Sequence, residues 1–327
     1  MAYEREKQVA IAAVQTAAKL TEQVRGDIPE AIEKKDKSPV TVADYGSQAL
    51  ICKALGEAFP TDPIVGEEDA AQLRQPEMSP TLDKVTSYIQ ALIPNATPDQ
   101  VSNWIDRGNG QVGARFWTLD PIDGTKGFLR RDQYAIALAL IENGQVQVGV
   151  MGCPALSMDG GEPGVMFFAV RGEGAFVMPL TGGEPTKVQV VPADDTANLR
   201  FVESVESGHG DQEGQKAVAE AIGITAPSRR LDSMAKYGIV ASGQAALYLR
   251  LPSPKTPDYR ENIWDHAAGA VVVEEAGGRV SDIHGQPLNF AASAKMVNNR
   301  GIIVSNGVIH DQVLAALQSF AAASPTA

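Results

Sequence analysis

Asn143-Gly144 stands between two apolar runs, residues 134–141 and 146–151. An Asn-Gly pair in that position closes a two-residue β-hairpin, because both residues tolerate the positive φ that the turn requires. The flanking runs are therefore expected to pair antiparallel. Residues 165–170 and 175–178 repeat the arrangement about Gly172, and short apolar runs at 64–65, 116–119 and 188–191 read as further strands. Ahead of them, Val9, Ala13, Ala17, Leu20 and Val24 recur at helical spacing. A second helix is expected over residues 42–59 and a third near 82–92, among proline-rich surface loops. Helices followed by an antiparallel sheet make an α+β unit.

From Leu199 onward the rhythm changes. Strands at 201–205, 229–231, 246–251, 279–281 and 302–304 alternate with helices at 212–221, 233–241, 265–276 and 309–322, the pattern of an α/β layer. A chain of 327 residues also exceeds what one core usually serves. The expected domains are 1–196 and 197–327, with the boundary near residues 194–198.

Twenty-eight Lys plus Arg face 40 Asp plus Glu, a net charge of -12. That field repels phosphate backbones and anionic lipid, which argues against nucleic acid or membrane as a stable partner. No apolar run is long enough to span a bilayer, and the first twenty residues lack the apolar core of a secretory signal. Cys52 and Cys153 are too few for a disulfide framework or a cysteine metal cage, which suits a soluble protein in a reducing, intracellular compartment. Gly108, Gly110 and Gly113 match G-x-G-x-x-G, but they precede a strand instead of following one, so they are expected to form a flexible loop. His209, His266, His284 and His310 lack zinc-ligand spacing.

The chemistry concentrates in Trp117-Thr-Leu-Asp120-Pro121-Ile122-Asp123-Gly124-Thr125. An apolar strand delivers Asp120, Pro121 is expected to turn the chain, and Asp123 can fold back toward the same point. The Ile122 carbonyl offers a third oxygen, Gly124 permits close approach to a ligand, and Thr125 can cap the segment after it. Hard oxygens without nitrogen or sulfur suit magnesium. Two aspartates that merely cap backbone N–H groups would look the same in this segment alone. A haloacid dehalogenase reading fails, since its nucleophilic aspartate would fall on Pro121. Glu67 and Glu68 follow a short strand and Gly66, Asp265 precedes an apolar helical run, and Asp44 opens the second helix, where it could equally be an exposed first-turn residue.

Together, Gly66-Glu67-Glu68, Asp120-Pro-Ile-Asp123-Gly-Thr125 and Trp264-Asp265-His-Ala-Ala-Gly269 resemble the magnesium-dependent, lithium-sensitive phosphatase superfamily of inositol monophosphatase. Within it, Ser38-Pro-Val-Thr-Val-Ala-Asp44-Tyr-Gly-Ser-Gln48, Lys126-Gly-Phe-Leu129, Asp232-Ser233-Met-Ala-Lys236-Tyr-Gly238 and Tyr248-Leu-Arg250-Leu-Pro252 are similar to the 3'(2'),5'-bisphosphate nucleotidases, especially the plant type.

The resemblance implies a two-domain layered α-β-α-β-α sandwich of the inositol monophosphatase and fructose-1,6-bisphosphatase type. It implies two or three Mg2+ ions on Glu67, Asp120, the Ile122 carbonyl, Asp123 and Asp265, with Asp44 and Thr125 positioning and deprotonating the attacking water through a mutual hydrogen bond. Thr125 and Asp265 would also meet substrate, beside His209, Ser233, Lys236 and Arg250. The expected reaction removes the 3'-phosphate of 3'-phosphoadenosine 5'-phosphate, a step in sulfur metabolism, with the 5'-phosphosulfate as a second substrate. An inositol phosphate phosphatase and a silent nucleotide sensor are the alternatives. The expected working form is a monomer or weak homodimer, cytoplasmic, or chloroplast or mitochondrial after removal of a transit peptide. Pro252-Ser-Pro-Lys-Thr-Pro257 looks longer than the family pattern and bears on how the nucleotide is gripped.

Overall fold

The computed structural model describes residues 2–27, 31–33, 39–158, 160–192, 195, 199–206 and 210–323. His209 and most of the expected domain boundary lie outside the described residues. The chain opens with α1 (Glu4–Gly26), the strand pair β1 (Ala31–Glu33) and β2 (Pro39–Thr41), and α2 (Val42–Ala58). Then come β3 (Ile64–Gly66), α3 (Ser79–Gln90), α4 (Pro98–Asp106), β4 (Arg115–Asp123) and α5 (Thr125–Leu129). β5 (Ala135–Glu142), β6 (Gln145–Cys153), β7 (Val165–Val170), β8 (Gly174–Pro179) and β9 (Thr186–Val188) complete a seven-stranded sheet of order β3-β4-β5-β6-β7-β8-β9. Only the β3–β4 pair in it is parallel.

The hairpin forms as the Asn-Gly pair dictates. Asn143 and Gly144 take φ of 52° and 78°, and Glu142 pairs with Gln145.

A second part follows: β10 (Phe201–Ser204), α6 (Gln212–Ala221), β11 (Arg229–Leu231), α7 (Ala235–Ala241), β12 (Leu247–Arg250), α8 (Ala267–Glu275), β13 (Arg279–Ser281), β14 (Ile302–Ser305) and α9 (His310–Ala323). Its strands form a five-stranded mixed sheet, β11-β10-β12-β14-β13.

Three apolar clusters stack these elements into five layers. Alternation along β5 shows how. Ile136, Leu138 and Leu140 pack with α1 and α2, whereas Ala135, Ala137, Ala139 and Ile141 face α7 and α8. Because both faces are covered, the strand reads as an unbroken apolar run. The alanines let α8 approach closely, and a Cβ at Gly149 on β6 would come within 2.4 Å of Val271. Tyr248, Ile302 and Val304 press the five-stranded sheet against the other side of α7 and α8. Its far face, with Phe201, Leu247 and Ile303, is covered by α6 and α9. The order is helices, large sheet, helices, small sheet, helices, the expected sandwich.

Several local expectations are corrected. The proline-rich stretch after Ala70 holds α4, which opens on a capping box: Gln100 N donates to the Thr97 hydroxyl at 3.3 Å, and Thr97 N donates to the Gln100 side chain at 3.0 Å. The third helix lies at Ser79–Gln90 and β9 at Thr186–Val188, each a few residues upstream of its expected place. The Gly108–Gly110 loop is held along its length. Gly66 N donates to the Gly108 carbonyl (2.7 Å) and Gly110 N to the Ile64 carbonyl (2.8 Å), so the loop zips onto β3. Among the described residues, no helix is long and apolar enough to cross a membrane.

Candidate active site

β4 does not turn at Pro121. It continues to Asp123 through a bulge: Asp120 pairs with Ala137 and Asp123 with Ala135, so three steps on β4 match two on β5. Side chains three apart on a regular strand face opposite sides. The extra residue restores parity and puts Asp120 and Asp123 on one side. Pro121, which has no N–H to donate, occupies the irregular stretch, and Ser47 of α2 donates to its carbonyl at 2.9 Å. Asp120 accepts from Ile122 N at 3.1 Å, and Asp123 accepts from Met234 N just ahead of α7.

Gly124 then adopts φ of 87°, and α5 starts at Thr125. Thr125 caps nothing. Its hydroxyl donates to the Ile122 carbonyl at 3.2 Å, where a hydrogen bond to Asp44 was expected. Asp44 is in the first turn of α2 and only 2% exposed, so the surface alternative for it is excluded.

Glu67 follows β3, and its N–H continues the parallel pairing by donating to the Leu119 carbonyl at 3.2 Å. Gln48 locks this corner to α2: its Oε1 accepts from Glu68 N, and its amide donates to the Glu68 and Ile105 carbonyls. Gly66 and Gly108 leave room for that amide, since a Cβ on either would come within 2.8 Å and 2.4 Å of it. Asp265 does not cap α8, whose N-cap is His266. It accepts instead from Asn262 N at 3.4 Å and from the Asn262 side chain at 3.3 Å.

These pieces meet at a cleft of about 190 Å³ whose lining includes Glu67, Asp123, Thr125, Ser233, Lys236, Arg250 and Asp265. Asp120, Ile122 and Asp44 do not line it and are nearly inaccessible. Asp120 still feels the charges of Glu67, Asp123, Asp265 and Asp44, which together with burial push its carboxyl well above the usual range. Burial also raises Asp123, against the pull of Lys236, and raises Asp265, against His266 and Arg250.

Two cations line the same cleft, Lys236 buried and Arg250 partly buried. Burial brings the Lys236 ammonium down to about 8 although Asp123 favours its charge; its Nζ lies 5.2 Å above the Tyr248 ring and 3.4 Å from the Leu231 carbonyl. Arg250 Nε lies 2.8 Å from Glu261 Oε1, which outweighs burial and keeps the guanidinium charged. Burial opposes ionisation of Glu261 as well, but Arg250 and His266 hold it at about 2. Ser233, also in the lining, is in the left-handed region, φ 64°.

The sequence reading missed Glu206, Asp232, Tyr237, Tyr248, Glu261 and His266. Arg130 ties Asp232 (2.6 Å) to Glu206, so α5 is fastened to the chain beyond β10. Asp232, Tyr237, Tyr248 and His266 stand in quoted motifs, which was their one available signal; Glu206 and Glu261 gain their place through contacts distant in sequence.

The inositol monophosphatase family profile matches residues 4–322. Proteins named 3'(2'),5'-bisphosphate nucleotidase are similar over nearly the whole chain. That of Emericella nidulans is 42% identical (97% of this chain, 99% of the relative), and that of Arabidopsis thaliana 39% (97% of each). Among solved structures, Thermotoga maritima IMPase superposes with a TM-score of 0.65 at 24% identity over 96% of both chains. An inositol monophosphatase from Anabaena gives 0.62 at 20% identity (98% of this chain, 97% of the other). Such low identities speak for the fold; the profile and the 39–42% relatives carry the assignment. The chain belongs to the inositol monophosphatase family.

Proposed function

We propose that this chain is a magnesium-dependent phosphatase that removes the 3'-phosphate of 3'-phosphoadenosine 5'-phosphate, giving AMP and phosphate, with 3'-phosphoadenosine 5'-phosphosulfate as a second substrate. The observation that carries this reading is the mixed lining of one cleft: the carboxylates of Glu67, Asp123 and Asp265 together with the cations Lys236 and Arg250. The nucleotidase names of the 39–42% relatives support it.

The carboxylate wall suits a divalent ion. Asp120, Asp123 and Asp265 are crowded together, Asp120 buried and the other two partly so, and each is disfavoured as an anion, so the site calls for cationic charge beyond what Lys236 and Arg250 provide. The donors are hard oxygens, which is magnesium's preference. Glu67, Asp120, the Ile122 carbonyl, Asp123 and Asp265 would hold two or three such ions. Bound there, magnesium would acidify water and neutralise charge developing on the phosphoryl and leaving oxygens.

The chain's own groups divide the remaining work. Asp44 would accept the proton of the attacking water; a neutral hydroxyl is a poor base, and Thr125, whose hydroxyl donates to the Ile122 carbonyl in this structure, would have to turn to Asp44 to relay the proton. Lys236 and Arg250 grip the phosphate that does not react, with Ser233 and, beyond the described residues, His209 completing the nucleotide site. The working form remains proposed as a monomer or weak homodimer. The same reading keeps the domain division at 196/197.

The test is magnesium-dependent phosphate release from the nucleotide, from inositol 1-phosphate and from inositol 1,4-bisphosphate. The nucleotide should be hydrolysed fastest. Faster turnover of either inositol compound would overturn the assignment, and binding without release would favour a sensor.

A further inference from the structure

Glu261, Asp265 and His266 place ligand-capable atoms within 4.8 Å of one another. All three are already engaged within the protein, Asp265 with Asn262, and the engagement of the other two is more informative than the cluster. Glu261 Oε1 lies 2.8 Å from Arg250 Nε. Glu261 Oε2 lies 3.5 Å from His266 Nε2, and His266 Nδ1 lies 2.7 Å from the Tyr237 hydroxyl. A carboxylate only accepts, so Nε2 carries a proton, and in the neutral ring Nδ1 then accepts from Tyr237. The four side chains form one line, buried at Tyr237 and His266 and partly buried at Glu261 and Arg250, from α7, through the N-cap of α8, to the end of β12. Tyr237 is fixed at its end of the line: it is 1% exposed, and Gly269 of α8 lies so close that a Cβ there would be 2.4 Å from its ring.

We propose that Glu261 is a positioning residue that sets the Arg250 guanidinium for the non-reacting phosphate, with His266 and Tyr237 holding Glu261 in turn; this rests on the bisphosphate reading above. A free arginine side chain has many rotamers, and ordering it before substrate arrives removes that cost from binding. The 2.8 Å contact runs through Nε, and Tyr248 and Tyr259 also hydrogen-bond the guanidinium; an arginine held in this way can turn terminal amino groups to a phosphate. A contrary effect operates too. Glu261 partly cancels the charge of Arg250, so removing it would strengthen bare attraction for phosphate. The two effects give opposite signs in KM, which makes the proposal decidable.

The measurement is the ratio of kcat/KM for 3'-phosphoadenosine 5'-phosphate to kcat/KM for adenosine 3'-phosphate, which lacks the second phosphate. In Glu261→Gln the ratio should fall about tenfold, through KM for the bisphosphate, in line with loss of one charge-assisted contact. In an Arg250→Ala background the same substitution should leave the ratio where Arg250→Ala alone puts it. A ratio that holds or rises in Glu261→Gln, or a fall that persists without Arg250, overturns the positioning role. Should Glu261→Gln fail to fold, Glu261→Asp decides: one methylene fewer draws the carboxylate away from Nε, so the ratio should fall, and a wild-type ratio would overturn the proposal. A wild-type protein that does not prefer the bisphosphate overturns the underlying functional reading instead, whatever Glu261 does.

Discussion

Ser47 donates a buried 2.9 Å hydrogen bond to the carbonyl of Pro121, and this contact clamps α2 onto the bulge that brings Asp120 and Asp123 to one side. Ser47 is fully buried, so Ser47→Ala would leave the Pro121 carbonyl without that partner and away from water. The expected cost is about 1–3 kcal/mol in urea unfolding. The magnesium concentration for half-maximal activity should rise severalfold, because the carboxylates lose their frame. A titration that superimposes on wild type would dissociate the clamp from the site.

The glycines of the misleading G-x-G-x-x-G separate cleanly by packing. A Cβ at Gly110 would lie 2.6 Å from the Ile64 carbonyl, whereas one at Gly113 meets nothing within 4 Å. Gly110→Ala should destabilise by about 1–3 kcal/mol through overpacking against backbone, and Gly113→Ala should be close to neutral. Thermal unfolding of the two variants checks this. Equal effects would mean that the loop does not depend on its seam with β3.

The carboxylate wall predicts an unusual pH dependence for the metal-free protein. Burial and mutual repulsion raise Asp120, Asp123 and Asp265 above their unfolded values, so between the ordinary aspartate range and the raised values the folded state binds more protons than the unfolded one. Stability from this source is complete in acid and lost as pH rises through neutrality. In EDTA, Asp120→Asn should therefore be more stable than wild type at pH 8, with the advantage shrinking toward pH 5. Urea midpoints at both pH values test this. A variant less stable than wild type at pH 8 would refute it.

The acid limb has a separate origin in His310, buried between Ser281 (2.8 Å from Nε2) and Ser305 (2.8 Å from Nδ1). Burial, aided by Arg279, lowers its folded value from 6.5 to about 4. The unfolded chain takes up this proton first, so the contribution is present above about pH 6.5 and lost as pH falls toward 4. Replacing His310 with glutamine should flatten the fall in urea midpoint between pH 6.5 and 4. An unchanged slope would assign the acid limb to other groups.

Much of this was legible wherever local chemistry and tertiary need coincide. Asn143-Gly144 needs no distant partner to favour its turn, and apolar runs such as 134–141 announce strands whatever covers them. The spaced Asp120, Asp123 and Asp265 could be read as one site through their resemblance to a family, and the structure does gather Asp123, Glu67 and Asp265 at one cleft. The bulge was not legible. Pro121 suits a turn and a ladder break equally, and the choice depends on pairing with β5 and on Ser47. The capping box of α4 was present as Thr97 and Gln100, but Pro94 and Pro98 masked it as loop. Glu261 gave no local sign of its role and His266 only its place in the Trp264–Gly269 motif, because Arg250 and Tyr237 reach them only through the packing of β12 and α7 around α8.

The most direct measurement follows 3'-phosphoadenosine 5'-phosphate with magnesium by phosphorus NMR, using wild type and Asp120→Asn side by side. Wild type should yield AMP and inorganic phosphate, and the variant should be slower by at least about a hundredfold, as expected when a group central to charge stabilisation is removed. Adenosine 3'-phosphate as the product, or an Asp120→Asn rate equal to wild type, would contradict removal of the 3'-phosphate at this cleft.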